Sequence, residues 1–323
     1  MDVIAPIAYP YTSEFATVNE LAAFYERHYK TLGSWTLRPG QKIFLGKKEA
    51  RRCRFCGKGV PEVSFRAEAH AIPECIGNKS LFTFHECDFC NQAFGKGCEN
   101  DFGNWSLPMR TMSRICGKSG IPTIKHDATG RHRIDSHPMG LEISVDEAEG
   151  FFENDPTSKT LTFHLRRPPY RPAMVVKAMV KMALSVMPEE EMCNFQQALA
   201  LIQPDNSSTA LAAPTPFFHT FVRGAPARDR IIFAIMTRRR DDFIAPYAYV
   251  LLRYGNDMLQ MAVPSPEKDG VLKGKNITLD PYPCTSEEDS VGNSTAFLPF
   301  VSMDFVRGED TIITMSYGER RPR

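Results

Sequence analysis

The chain has 323 residues, is 42% apolar and 24% charged, and carries a formal net charge of +1, values ordinary for a soluble globular protein with room for two or three domains. No apolar run approaches the ~18–20 residues of a membrane span, and the opening MDVIAPIAYP lacks the basic start and apolar core of a signal peptide. The near-neutral balance confines any nucleic-acid surface to a local patch, and nine cysteines without a secretory signal point to a reducing, cytoplasmic setting rather than a disulfide framework.

Residues 1–12 read as an extended, proline-punctuated lead. Thr17 and Glu20 fit a capping box. Leu21, Tyr25, His28, Tyr29 and Leu32 then recur at helical spacing and Gly33 suits a stop, which predicts a packing helix. Residues 38–66 are basic, with nine positive side chains against Glu49 and Glu62. A charge run is usually a solvated face, and Phe44 and Phe55 within it read as core rather than as base-stacking platforms.

Two Cys-x-x-Cys pairs follow, Cys53/Cys56 and Cys87/Cys90, separated by 30 residues. Each pair places two thiolates on a tight turn, and two pairs can close a tetrahedron around a structural Zn²⁺. Between them lie Ala69-His70-Ala71-Ile72-Pro73-Glu74 and Gly77-Asn78. Directly after Cys90 comes Asn91.

The run from Cys53 to Asp101 resembles the HNH endonuclease family, the ββα-metal nucleases, many of which carry a four-cysteine zinc knot. The resemblance covers about 60 residues. It implies that His70 is the catalytic histidine, Asn78 the middle motif asparagine and Asn91 the residue that opens a helix and binds a catalytic Mg²⁺ or Mn²⁺. Cutting a phosphodiester needs a water made nucleophilic and charge neutralised at the phosphate. A near-neutral imidazole can take the proton, and a hard divalent ion held by oxygen ligands can offset the charge. Family members usually have an acid before the histidine, where this chain has Ala69. Glu68, Glu74 and Glu99 are the candidate carboxylates in its place.

Beyond the cysteines, a helix from about Asn91 is expected to fray at Gly95-Lys96-Gly97, resume toward Trp105 and end near Pro108. Gly117-Lys118-Ser119-Gly120 lacks full phosphate-loop spacing and reads as a turn. Cys98 and Cys116 read as small packing residues. Short strands are expected at 121–125, 141–145 and 160–165, with His126, His132 and His137 as solvated loop histidines. Pro172 suits the first turn of a helix that is apolar to Met187 except for Lys177, Lys181 and Ser185, so it should be deeply buried. A second helix should start at Glu189-Glu190-Glu191, with Met192, Phe195, Leu199 and Ile202 on its apolar face. Residues 204–216 read as a linker loop and 264–296 as a polar loop. Strands are expected at 231–236, 247–253, 258–263, 298–305 and 311–315, with a hairpin turn at Tyr254-Gly255-Asn256-Asp257.

These readings give an α+β chain in which an HNH zinc-knot module is followed by an α+β domain with a β-rich C-terminal half. The expected division is an N-terminal helical segment (1–37), the nuclease module (38–110) and an accessory domain (111–323). The implied function is metal-dependent hydrolysis of DNA, with RNA as an alternative substrate and a homodimer as one way to cut both strands. Family resemblance also implies a setting in prokaryotic antiviral defence or a mobile element. The competing reading is a non-catalytic zinc-knot module that binds nucleic acid or protein.

Overall fold

The computed structural model describes residues 9–10, 17–125, 130–137, 140–144, 150–206, 209–211, 215–273, 275, 280–283 and 293–316. The chain mixes helices and sheets in an α+β arrangement. Helix α1 (Val18–His28) begins with the expected capping box: Thr17 Oγ1 accepts from the Glu20 amide, and the Thr17 amide donates to Glu20 Oε2. It buries Leu21 and Tyr25 but stops five residues before Gly33. At Tyr29 the backbone turns extended and runs as a strand to Leu37. The physical reason is tertiary. Residues 29–37 pair antiparallel with Ala227–Arg238, and that ladder overrides the local helical pattern.

Those strands lie at one edge of a seven-stranded antiparallel sheet. Its order is Tyr9–Pro10, Ser294–Phe297, Phe217–Phe221, Asp257–Val263, Ala248–Gly255, Ala227–Arg238 and Tyr29–Leu37. The turn at 254–257 connects two neighbours, as its sequence predicts. The expected strand at 298–305 is corrected: the strand is Ser294–Phe297, which begins at the end of the stretch 264–296 read as a polar loop. It pairs with both Phe217–Phe221 and Tyr9–Pro10. Another strand, Arg133–His137, forms where loop histidines are expected and pairs with Gly140–Ser144. His126 lies outside the described residues. The strand at Thr160–Arg166 pairs with Phe152–Asp155 on one side and Asp310–Ser316 on the other. Gly117 and Gly120 bond to each other across a turn.

Helix α2 (Asp88–Lys96) breaks at Gly97, where a Cβ would meet the Ala93 carbonyl at 2.9 Å. Helix α3 (Cys98–Met112) then continues through Pro108 instead of ending there. Helix α4 (Pro172–Val186) is buried on every face, as its composition requires. Beyond it, Glu189–Phe195 is a 3₁₀ segment that leads into α5 (Gln196–Ile202). The 204–216 stretch begins with a further 3₁₀ turn, Pro204–Asn206, and residues 207–208 and 212–214 of it lie outside the described residues. Among the described residues no helix is long and apolar enough to cross a membrane.

A single hydrophobic cluster joins three layers. It contains Phe55, Ile72, Phe94 and Trp105 from the cysteine-rich region, Met174, Val175 and Met182 from α4, and Phe217, Val250 and Leu259 from the sheet. Helix α4 is thus the middle layer, and one wall of the cysteine-rich region is built from the second half of the chain.

Candidate functional site

The four cysteines converge. Their Sγ atoms all lie within 4.8 Å of one another, and Cys56 and Cys87 are 3.8 Å apart. A tetrahedron with metal–sulfur bonds of about 2.3 Å has edges of about 3.8 Å, so the set fits a structural ion such as Zn²⁺. Local backbone chemistry builds the cradle. The Cys53 amide donates to the Lys58 carbonyl at 2.8 Å, and the Gly57 amide returns a bond to the Cys53 carbonyl at 2.8 Å. Gly57 sits at φ +72°, which favours glycine. Cys87 caps α2 and Cys90 lies in its first turn, with the Cys90 amide 3.5 Å from Cys87 Sγ. Asp88 ties this helix start to the preceding loop, accepting from Ser64 Oγ at 2.6 Å and from the Arg66 and Ala67 amides at 2.9 Å. Burial opposes its charge, yet these bonds together hold its carboxyl below the usual range.

His70 stands on the short strand Ala69–His70, antiparallel to Leu81–Thr83. Strand Ile43–Leu45 runs parallel on the other side. Alternation along a strand sorts these side chains between two faces. Ala69 lies opposite Thr83, and both are buried. His70 lies opposite Phe82, and Phe82 beside Phe44, so these three form a row across the other face. The position where family members carry an acid therefore holds a buried methyl group. Glu68 falls two residues before His70, and it pairs with Lys42 at 2.6 Å on the surface.

The His70 ring packs 4.6 Å from Phe82. Burial lowers its pKa most; Glu74 opposes that, Lys181 adds to it, and Glu99 and Glu68 oppose it more weakly. The imidazole is therefore neutral at neutral pH, the form that accepts a proton. Asn78 is fully buried and bonds only to backbone. Its Nδ2 donates to the carbonyls of Ile72 and Leu81 at 2.7 and 2.9 Å, and its Oδ1 accepts from the Ser80 and Leu81 amides at 3.0 and 2.9 Å. Gly77, at φ +93°, turns the chain into it. Asn91 is half-buried on the first full turn of α2. No hydrogen bond joins His70, Asn78 and Asn91 among the described residues.

Two residues missed by sequence reasoning lie at the centre of this region. Lys181 of α4 is fully buried and donates to the His70 carbonyl at 2.8 Å. It also pairs with Glu86 at 3.0 Å and Glu99 at 2.9 Å. Burial works against the lysine charge, but the two carboxylates outweigh it and raise its pKa. Burial pushes the Glu86 carboxyl up against the pull of that ammonium. The signal in the sequence was a lysine inside an otherwise apolar helix, which must find a buried anion. Cys98 is buried as expected, whereas Cys116 is exposed.

The candidate carboxylates fare differently. Glu68 is paired with Lys42 and Glu99 with Lys181, so neither is without a cation. Glu74 is half-buried in the 3₁₀ turn after His70; its carbonyl accepts from the Gly77 amide at 2.9 Å, and its carboxylate has no hydrogen bond or ion pair among the described residues. A hard divalent ion takes six or more oxygens, several of them carboxylate or water. Ala69 is turned inward and Glu68 and Glu99 each pair with a lysine, so of the three candidate carboxylates Glu74 is the one without an ion pair among the described residues.

Of the basic run, Arg54 is taken by the fold: it bonds the carbonyls of Leu184 and Met187 and pairs with Glu189. Lys42, Lys47, Lys48, Arg52 and Arg66 remain exposed. No curated protein and no solved structure matches the chain. A family model described as HNH endonuclease does match, over residues 53–106.

Proposed function

We propose that the 53–106 segment, with its flanking strand at 43–45, is a nuclease that hydrolyses phosphodiester bonds in nucleic acid, DNA in the first instance, with His70 as the general base. The observation that carries this reading is the state of His70: a half-buried imidazole, held neutral, on the hairpin of a segment that matches a nuclease family. His70 would take a proton from a water, whose oxygen attacks phosphorus as the 3′ or 5′ oxygen leaves. Exposed Lys48 and Arg66 would neutralise the phosphates on either side. Zn²⁺ at Cys53, Cys56, Cys87 and Cys90 would hold the hairpin and α2 in place. Asn78 and Asn91 act in this reading by position: the first fixes the loop after His70, and the second presents an amide at the start of α2.

Supercoiled plasmid incubated with the purified chain, with Mg²⁺ or Mn²⁺ and with neither, tests the reading. Nicking that disappears in His70→Ala supports it. Equal nicking by both proteins, or by neither, counts against it. A second reading, a non-catalytic nucleic-acid-binding module, is favoured by the Lys181 ion pairs. A lysine ammonium already pairs with two carboxylates in this region. Binding of DNA without nicking under any of these conditions would select it.

A further inference from the structure

The outer face of the three-stranded sheet carries a feature that the basic sequence alone does not explain. Phe44 reads in the sequence as core, yet it is half-exposed. Its ring stacks on Phe82 at 5.3 Å and 24° and on Phe84 at 4.9 Å and 12°. Cations stand at both ends of this ladder: the Lys42 ammonium is 5.1 Å from the Phe82 ring, and the Arg51 guanidinium is 5.0 Å from the Phe84 ring. Beside Phe44 and Phe84 lies a cleft of about 370 Å³, bounded by Lys48, Arg51, Arg66 and Glu68. Of its two anionic members, Glu68 pairs with Lys42, and Glu86 pairs with a Lys181 that it shares with Glu99, against the three cations Lys48, Arg51 and Arg66 of the lining. The remaining field is positive. His70 continues the same row of side chains, one strand over from Phe82.

We propose that this cleft receives an unpaired nucleobase of a single-stranded nucleic acid. The base packs against the solvent-facing edges of the Phe44 and Phe84 rings, whose faces are engaged by Phe82, by each other and by Arg51, and the adjoining phosphates meet Lys48, Arg51 and Arg66. Aromatic rings interleaved with cations suit this ligand because every base has a π-face and every linkage a charge. A duplex, with its bases already stacked, offers the charge without the faces. The row from Phe44 through Phe82 to His70 then brings the linkage next to the bound base toward the imidazole. This deepens the nuclease reading and rests on it only for that last step.

The test is equilibrium binding of the full chain, by fluorescence anisotropy without added divalent ions. The probes are a labelled oligothymidylate, an oligouridylate, an abasic oligomer of equal charge and a blunt hairpin duplex. The expected result is binding of at least one base-bearing single strand about tenfold tighter than of the abasic oligomer and the duplex; the two base-bearing probes distinguish DNA from RNA. Phe44→Leu should lose that tenfold and leave abasic binding unchanged, while Phe44→Tyr should retain it. Lys48→Gln with Arg66→Gln should weaken every probe and flatten the salt dependence. A thermal melt of each variant separates lost binding from lost folding. Abasic or duplex binding as tight as that of the single strands, or wild-type affinity in a folded Phe44→Leu, overturns the proposal. Phe44-dependent binding without nicking would sink the nuclease reading alone. Nicking without Phe44-dependent binding would sink this inference alone.

Discussion

Lys181 and His70 are linked across the boundary of the family match: the lysine, on a helix far outside residues 53–106, donates to the histidine's backbone carbonyl at 2.8 Å. The same ammonium holds Glu86 and Glu99. The second half of the chain therefore sets the position of the hairpin that carries the candidate base.

Removing that ammonium should be costly. Lys181→Met leaves two carboxylates without their cation in a buried site, and breaking a buried pair in this way costs about 3–5 kcal/mol. Adding Glu86→Gln should recover part of the loss, because Glu86 is the fully buried partner. Denaturant melts of the single and double variants measure both effects.

The pH dependence follows from His70. Its folded pKa lies below the ordinary 6.5, with burial the leading cause. A general base must be unprotonated, so kcat/KM should rise with pH through an inflection below 6.5 and then stay flat. Stability carries the same sign. The unfolded chain binds the proton first as pH falls, so this group's contribution is present above 6.5 and is lost as pH drops from there toward the folded value. An inflection above 6.5 in the rate profile would exclude His70 as the titrating base.

Freshly purified protein should contain one zinc per chain. Stripping it with a chelator, or replacing Cys87 by serine, should unfold the cysteine region, because a structural zinc contributes about 10–16 kcal/mol of binding free energy to folding. Metal analysis and near-ultraviolet circular dichroism report the two outcomes.

Asn78→Ala removes one hydrogen bond from each of four backbone groups around a fully buried side chain, of which the Leu81 carbonyl keeps the Ala71 amide at 3.2 Å. The expected loss is about 2–4 kcal/mol. If Asn78 acts only by position, nicking should fall in proportion to the folded fraction, which a paired melt and plasmid assay would reveal.

The parts of this chain that were legible in the sequence are those fixed by local chemistry. Thr17 and Glu20 gave the helix start, Tyr254 to Asp257 the hairpin, and the apolar run after Pro172 the buried helix. The paired spacing of the cysteines points to the one cluster that their sulfurs form. What failed was set by partners distant in sequence. Tyr29 to Leu37 carries a helical pattern, but residues 227–238 pull it into a sheet. Ser294 to Phe297 looks polar and unpatterned, yet it lies between two strands. Phe44 reads as core but is half-exposed, because an aromatic in a short strand has two possible faces and only the register with Phe82 decides between them.

The edge strand at residues 29–37 also has a consequence in time. It leaves the ribosome well before residues 227–238, its neighbour in the sheet among the described residues. At usual synthesis rates that interval is about ten seconds or more. All four thiols emerge within it and can capture their ion while the strand is still unpaired. The four thiols are thus on hand for an ion before the lysine that steadies the hairpin arrives.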